Sequence, residues 1–249
     1  MNINITQNAY ELGKAAGAMA AQLIRKALEA NGRANIILAT GTSQFETLNQ
    51  LIFEKNIDWS KIVMFHLDEY IGLPVTHPAS FRKYLQERFL SKVPALKDAF
   101  LINGEGDPVK ECARIGDLIT KNPVDVALVG VGENGHLAFN DPPADFETEQ
   151  PYIIVKLDDA CRKQQLGEGW FKSTEEVPHY AISMSIKQIL LSRQIICSVP
   201  DSRKALAVKN TLEQPVNNLY PASVLQLHPD CSLYLDKSSA GLLSPNNTA

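Results

Sequence analysis

No stretch of this 249-residue chain is apolar for long enough to span a bilayer, and its start carries no basic patch leading into an apolar run. Neither membrane insertion nor export is expected. A basic excess is missing too. The 24 Lys and Arg stand against 28 Asp and Glu, giving a formal net charge of −4 with no polybasic cluster, which argues against nucleic acid as a partner. Cysteine is scarce and scattered: Cys112, Cys161, Cys197 and Cys231 show no short metal-ligand spacing, and the last two lie in apolar runs. All four read as reduced thiols of a cytoplasmic protein, with no metal called for. Without a secretory signal, the tripeptides Asn4-Ile5-Thr6 and Asn246-Asn247-Thr248 carry no weight as glycosylation sites. No internal repeat is evident, nor any linker that would divide the chain.

What is present is an alternation of helical and strand patterns with short interruptions. A hydrophobic content of 45% suits a soluble domain with an ample core. Leu12, Ala16, Ala20, Leu23 and Ala27 recur at helical spacing over residues 8 to 30 and stop at Asn31-Gly32, a helix terminator. Short apolar runs predict strands at 35–39, 61–67, 124–131, 152–157, 180–184, 194–199 and 231–235, with further helices near 44–54, 79–90, 108–121 and 202–213. This predicts an α/β fold, a Rossmann-like open and mostly parallel sheet with helices on both faces. One domain is expected over residues 1–236, and the small, polar stretch 237–249 reads as a frayed tail.

The most informative segment runs from Val126 to Pro142. Its valines and leucines fit a strand buried on both faces, and Gly130, Gly132 and Gly135 then allow unusual turns and close approach to a ligand. Ligands of open α/β sheets sit beyond the carboxyl ends of the strands, so His136 is placed to face a pocket, where an imidazole can accept or give a proton.

Three other strand ends offer chemistry. Thr40, Gly41, Thr42 and Ser43 precede a helix, where free N–H groups and hydroxyls suit an anion such as phosphate. The same residues are also ordinary turn and N-cap residues. The loop lacks the Gly-Lys-Ser/Thr ending of a Walker loop and the dinucleotide glycine pattern. Asp68 and Glu69 follow the next strand, and because neighbouring side chains of an extended segment point to opposite sides, one acid should enter the pocket. Asp68 is the candidate base and Glu69 its structural partner, with a solvated acidic turn as the plain alternative. Ser80 reads as the N-cap of the following helix. Finally, Ser202 opens a helix whose first turn holds Arg203 and Lys204. Basic residues there oppose the macrodipole, which points to an anion, and Lys204 is the preferred phosphate contact.

These motifs resemble the glucosamine-6-phosphate deaminase/isomerase family, whose members share a fold with 6-phosphogluconolactonases. The matching pieces are Thr40-Gly41-Thr42-Ser43, the run from Leu67 to Pro74, the Gly130–Pro142 loop, the run from Ser202 to Ala207, and Leu225-Gln226-Leu227-His228-Pro229. Ala138-Phe139-Asn140-Asp141-Pro142 favours the deaminase branch, because the lactonases usually continue toward Ala-Ser-Leu-Phe-Pro. The resemblance implies that Asp68 moves a proton between C2 and C1 of an opened sugar. It implies that His136 assists ring opening, with Asp141 orienting it and Asn134 on its other flank. Lys204 and the Thr40–Ser43 loop would hold the 6-phosphate of a phosphorylated amino sugar, which then loses ammonia by imine hydrolysis. No cofactor or metal is implied, and homo-oligomers are plausible by analogy.

The chain also departs from that family. Gly167 stands where a second phosphate-binding arginine is common, so Arg162, Lys163 or Arg203 become candidates to compensate, although an ordinary helix surface explains the first two equally well. Gln44 replaces the proline usual after the phosphate loop. The Ser, Arg and Lys set expected of an amino-sugar allosteric site is absent. Residues 167–178 read either as a lid with Trp170 closing over substrate or as an aromatic packed in the core. Alternatives to the deaminase reading are a sugar-phosphate lactonase and a noncatalytic sugar-phosphate sensor.

Overall fold

The computed structural model describes residues 1–245. In chain order its strands are β1 (Asn2–Thr6), β2 (Ala34–Leu38), β3 (Ile62–His66), β4 (Asp68–Tyr70), β5 (Asp98–Phe100), β6 (Val126–Val129), β7 (Tyr152–Lys156), β8 (Tyr180–Met184), β9 (Gln194–Val199) and β10 (Cys231–Asp236). The helices are α1 (Ala9–Asn31), α2 (Phe45–Phe53), α3 (Phe81–Leu85), α4 (Pro108–Thr120), α5 (Asp159–Gly167), α6 (Ile186–Leu190) and α7 (Ala205–Glu213). Among the described residues, seven strands form a parallel sheet in the order β1-β10-β9-β6-β2-β3-β5.

Both faces of that sheet are covered, as its unbroken apolar strands require. Side chains alternate across a strand. Ile36 and Leu38 therefore pack with α1, α2 and the α3 region through Leu12, Ala20, Leu48 and Leu85. Ile37 and Val129 turn the other way, into a core shared with α4, α6 and α7 through Ile115, Ile189 and Val208. Helix α1 ends as its sequence predicts, with Gly32 in the left-handed region at φ 69° and its N–H bonded to the Leu28 carbonyl. Among the described residues no helix is long and apolar enough to cross a membrane.

Several expectations are refined. The segments at 152–157 and 180–184 are strands, but they do not join the parallel sheet. With β4 they make an antiparallel sheet in the order β4-β8-β7. β7 is its edge, and its alternating exposure shows one wet face, which is the pattern of an antiparallel strand. The edge strands β1 and β5 escape an apolar-run search because one is half polar and the other three residues long. Residues 237–245 do not fray: Ser239 and Ala240 are buried, and the Ser244 N–H donates to Glu213 Oε1. Residues 246–249, with the tripeptide Asn246-Asn247-Thr248, lie outside the described residues.

Candidate active site

The strands β9, β6, β2 and β3 lie side by side, so the loops leaving their carboxyl ends gather at one edge. They supply Lys204, His136, Thr40–Ser43 and Asp68, which line one pocket together with Phe81 and Phe139. The four motifs read separately along the chain thus converge.

At the centre of the pocket, His136 is fixed from several sides. Its Nδ1 lies 3.1 Å from Asp141 Oδ1, an ion-pair distance, although the ring N–H is angled away from a linear hydrogen bond. Its backbone N–H donates to Asn134 Oδ1 at 3.1 Å. Asn134 Nδ2 in turn donates to Asp141 Oδ1 at 3.0 Å, and Asp141 Oδ2 accepts the Asp158 N–H at 3.0 Å. Burial alone would push the Asp141 carboxyl upward, but these contacts with His136, Asn134 and Asp158 outweigh it and hold the group below the usual carboxylate value. An anionic Asp141 favours the proton on Nδ1, leaving Nε2 free to accept a proton from a ligand. Gly132 leaves the room that the imidazole fills, since a Cβ there would stand 2.2 Å from His136 Cε1.

Asp68 and Glu69 part company as the alternation of an extended chain demands. Glu69 turns inward to cap α3. Its carboxylate accepts from the Ser80 hydroxyl, the N–H groups of Tyr70, Phe81 and Arg82, and Arg82 Nε. Ser80 is the N-cap, accepting from Lys83 N–H. Asp68 faces the pocket, and its carboxylate makes no hydrogen bond among the described residues. Burial, followed by repulsion from Glu69, drives its pKa well above the ordinary value. A carboxyl that holds its proton more tightly than usual, with no partner fixing its charge, suits reversible proton transfer.

The third wall is built around Thr40–Ser43. Gly41 takes φ 93°, open to glycine, and the first turn bond runs from Gln44 N–H to Gly41 O, so the Thr42 and Ser43 amides precede it. Gln44, in the place of the family proline, is buried and ties the loop down: Nε2 reaches Ser43 Oγ and the carbonyls of Val129 and Ser198. Lys204 is buried opposite, its pKa lowered by desolvation.

The candidates offered to replace the missing arginine lie elsewhere. Arg162 spends its guanidinium on the carbonyls of Thr174 and Val177, so it anchors the 171–177 segment and does not face the pocket. Lys163 is exposed on the outer side of α5. Arg203 pairs with Asp201 at 2.9 Å and with Glu133 at 3.4 Å. In the expected lid, Phe171 is buried against Tyr70 and stacks on His77, while Trp170 is half-buried against the same cluster and does not line the pocket. For Trp170 the packed reading is the better one.

Reasoning from sequence missed Gln164, Gln165 and Glu168, which α5 turns into the pocket. Glu168 stands four residues after Gln164 and three after Gln165, which puts the three on one side of the helix, and that spacing was the available signal. Among the described residues, one group could offer a metal three ligands: His136, Asp141 and Cys161, whose ligating atoms lie within 4.8 Å of one another. Burial pushes the Cys161 thiol far up, and the thiol leans on Asp141 as a hydrogen-bond donor, so this donor set fits an acid–imidazole pair better than a cation.

The profile of the family described as glucosamine-6-phosphate isomerases/6-phosphogluconolactonase matches residues 7–233. A glucosamine-6-phosphate deaminase of Listeria welshimeri is 37% identical over 225 residues, covering 90% of this chain and 94% of its own. One from Lactobacillus delbrueckii subsp. bulgaricus is 35% identical over 244 residues, 98% of this chain and 100% of its own. Among solved structures, a monomeric glucosamine-6-phosphate deaminase matches with a TM-score of 0.89 at 32% identity, covering 97% of this chain and 100% of that one. A 6-phosphogluconolactonase from Trypanosoma brucei reaches 0.80 at 18% identity, covering 98% of both, a likeness of fold alone.

Proposed function

This chain belongs to the glucosamine-6-phosphate isomerase/6-phosphogluconolactonase family, and within it we propose that the protein is an enzyme converting glucosamine 6-phosphate and water to fructose 6-phosphate and ammonia. The observation that carries the reading is the pairing, in one pocket, of a carboxyl without hydrogen bonds among the described residues, Asp68, with an imidazole backed by a carboxylate, His136 and Asp141.

The chemistry follows from those groups. His136 Nε2 takes the proton of the anomeric hydroxyl and helps return it to the ring oxygen, opening the sugar. Asp68 then removes the C2 proton and delivers one to C1, so that the aldose becomes a 2-imino sugar through an enolamine. Water adds to the imine carbon, and ammonia leaves with the proton balance restored. Lys204 and the Thr40–Ser43 amides hold the phosphate, fixing the end of the substrate remote from reaction. All the groups invoked belong to one chain, so the mechanism needs no second copy. The homo-oligomer expected by analogy is tested by sedimentation at working concentration. Cytoplasmic residence is supported by four free cysteines.

Incubating the purified protein with glucosamine 6-phosphate in deuterated water tests the reading. Equimolar ammonia and fructose 6-phosphate, with deuterium carried into C1, is the expected result. Absence of both products, or hydrolysis of 6-phosphogluconolactone in their place, overturns it.

A further inference from the structure

The phosphate end of the pocket holds an acid that neither the motifs nor the reaction accounts for. Helix α5 is pinned to the pocket wall at two points: Gln164 Oε1 accepts the Glu133 N–H at 2.7 Å, and Gln165 Oε1 accepts the Tyr70 hydroxyl at 2.7 Å. The helix ends at Gly167, the expected arginine position, and the residue that follows, the C-cap Glu168, is half-buried. Glu168 Oε2 comes within 3.7 Å of where a Cβ on Gly41 would stand, so the carboxylate lies directly over the Thr40–Ser43 loop. Among the described residues its carboxylate has one hydrogen bond, a long one from Gln164 Nε2 to Oε1 at 3.4 Å, and no ion pair within 4.0 Å.

The charges around Glu168 define its effect. Lys204 faces it from the turn after β9 and is drawn by both Glu168 and Glu133. Arg203 is taken by Asp201 and Glu133. From the other side come the phenols of Tyr70 and Tyr84, both pushed up by burial and both neutral. Lys204 and Glu168 therefore contribute no net formal charge to a site that must receive a phosphate of about −1.5 to −2.

We propose that Glu168 is a specificity-determining residue: its carboxylate competes with the ligand's phosphate for Lys204 and the Thr40–Ser43 loop, and so sets how loosely phosphorylated ligands are held. The inference rests on the phosphate end assigned under the proposed function. Repulsion between a carboxylate and a phosphate dianion across roughly 6 Å of wet pocket weakens binding by about tenfold. The flanking glycines let the side chain yield when phosphate arrives. Gly169 sits at φ 84°, and a Cβ at Gly167 or Gly169 would meet nothing within 4 Å. An arginine at 167 would clamp the anion, whereas an acid at 168 keeps the site selective for ligands that also engage the sugar subsite, and it speeds release of a phosphorylated product.

Calorimetric titration of the wild type, Glu168→Gln, Glu168→Ala and Glu168→Asp with inorganic phosphate and with fructose 6-phosphate, at fixed ionic strength, tests this. Glu168→Gln and Glu168→Ala are expected to bind both ligands about tenfold tighter, and Glu168→Asp to stay within about threefold of wild type because it keeps the charge. Unligated melting temperatures separate an electrostatic effect from a folding defect. Unchanged or weaker binding in both neutral variants overturns the proposal, as does binding of neither ligand by any variant. The measurement needs no turnover. A protein inactive on glucosamine 6-phosphate that shows the tightening overturns the reaction and leaves this inference standing.

Discussion

The imidazole of His136 occupies the space that a side chain on Gly132 would fill, with Cε1, Nε2 and Nδ1 all between 2.2 and 2.4 Å from the position of a Cβ at 132. The smallest possible side chain is therefore enough to displace the ring. Gly132→Ala is expected to lower kcat/KM by about 100-fold, the cost typical of moving a catalytic group by roughly 1 Å. Steady-state kinetics combined with an unchanged far-ultraviolet circular dichroism spectrum checks it.

Asp68→Asn removes the proposed proton carrier and should lower isomerisation by about 100- to 10,000-fold, read as loss of deuterium incorporation from solvent. The same variant has an opposite effect on stability. Burial raises the folded-state pKa of Asp68. The stability it contributes is thus fully present below the unfolded carboxylate value and is lost as pH rises through the raised folded value. Asp68→Asn should melt with the wild type in acid and a few degrees above it at pH 8. For kcat/KM, the acid limb should lie at higher pH than an ordinary carboxylate would set.

Asp141 carries the reverse sign. Its folded pKa is lowered, so its contribution is present above the unfolded value and lost as pH falls through the lower folded one. Asp141→Asn is expected to disfavour the Nδ1–H tautomer of His136 and to lower kcat by about 100-fold or more. The stability difference from wild type should shrink steadily in acid, followed by thermal melting across pH.

Lys204→Met keeps the apolar stem and removes the charge. It should raise KM for a phosphorylated substrate by about 10-fold or more, since hydrogen bonds to charged groups contribute about 1.5–3 kcal/mol. Inorganic phosphate should lose its inhibition in parallel, measured as Ki.

Arg162→Met tests a role away from the pocket. Two backbone carbonyls, of Thr174 and Val177, lose their donor. A destabilisation of about 1–3 kcal/mol is expected for the loss, with protease cleavage within residues 171–177 and a KM within about twofold of wild type.

The legible parts of this molecule were those in which one local pattern decides the outcome. Runs such as Ile36-Ile37-Leu38 and Val126-Ala127-Leu128 can be buried on both faces in a parallel sheet alone. Strand-end motifs then converge because the strands are parallel neighbours, so Asp68, His136 and Lys204 could be brought together from sequence. Partner choice was not legible. Nothing local to Tyr152–Lys156 or Tyr180–Met184 says that they pair with each other, and the second of them with Asp68–Tyr70, and not with the large sheet. Rotation of a short helix is likewise a tertiary outcome. The turn of α5 that buries Arg162 against Val177 also presents Glu168, and a search for a lost arginine looks for the wrong sign of charge.

A single residue, Leu67, separates β3 of the parallel sheet from β4 of the antiparallel one. The chain thus changes sheets between His66 and Asp68, and parity along the backbone decides which acid faces the pocket. A one-residue insertion at this junction would exchange the two carboxyls, aiming Glu69 into the pocket and asking Asp68 to cap α3 with a shorter arm. Chain length here is therefore part of the pocket's chemistry: drift in loop size that other connections absorb would, at this crossing, swap the carboxyl that faces the pocket for the one that braces a helix.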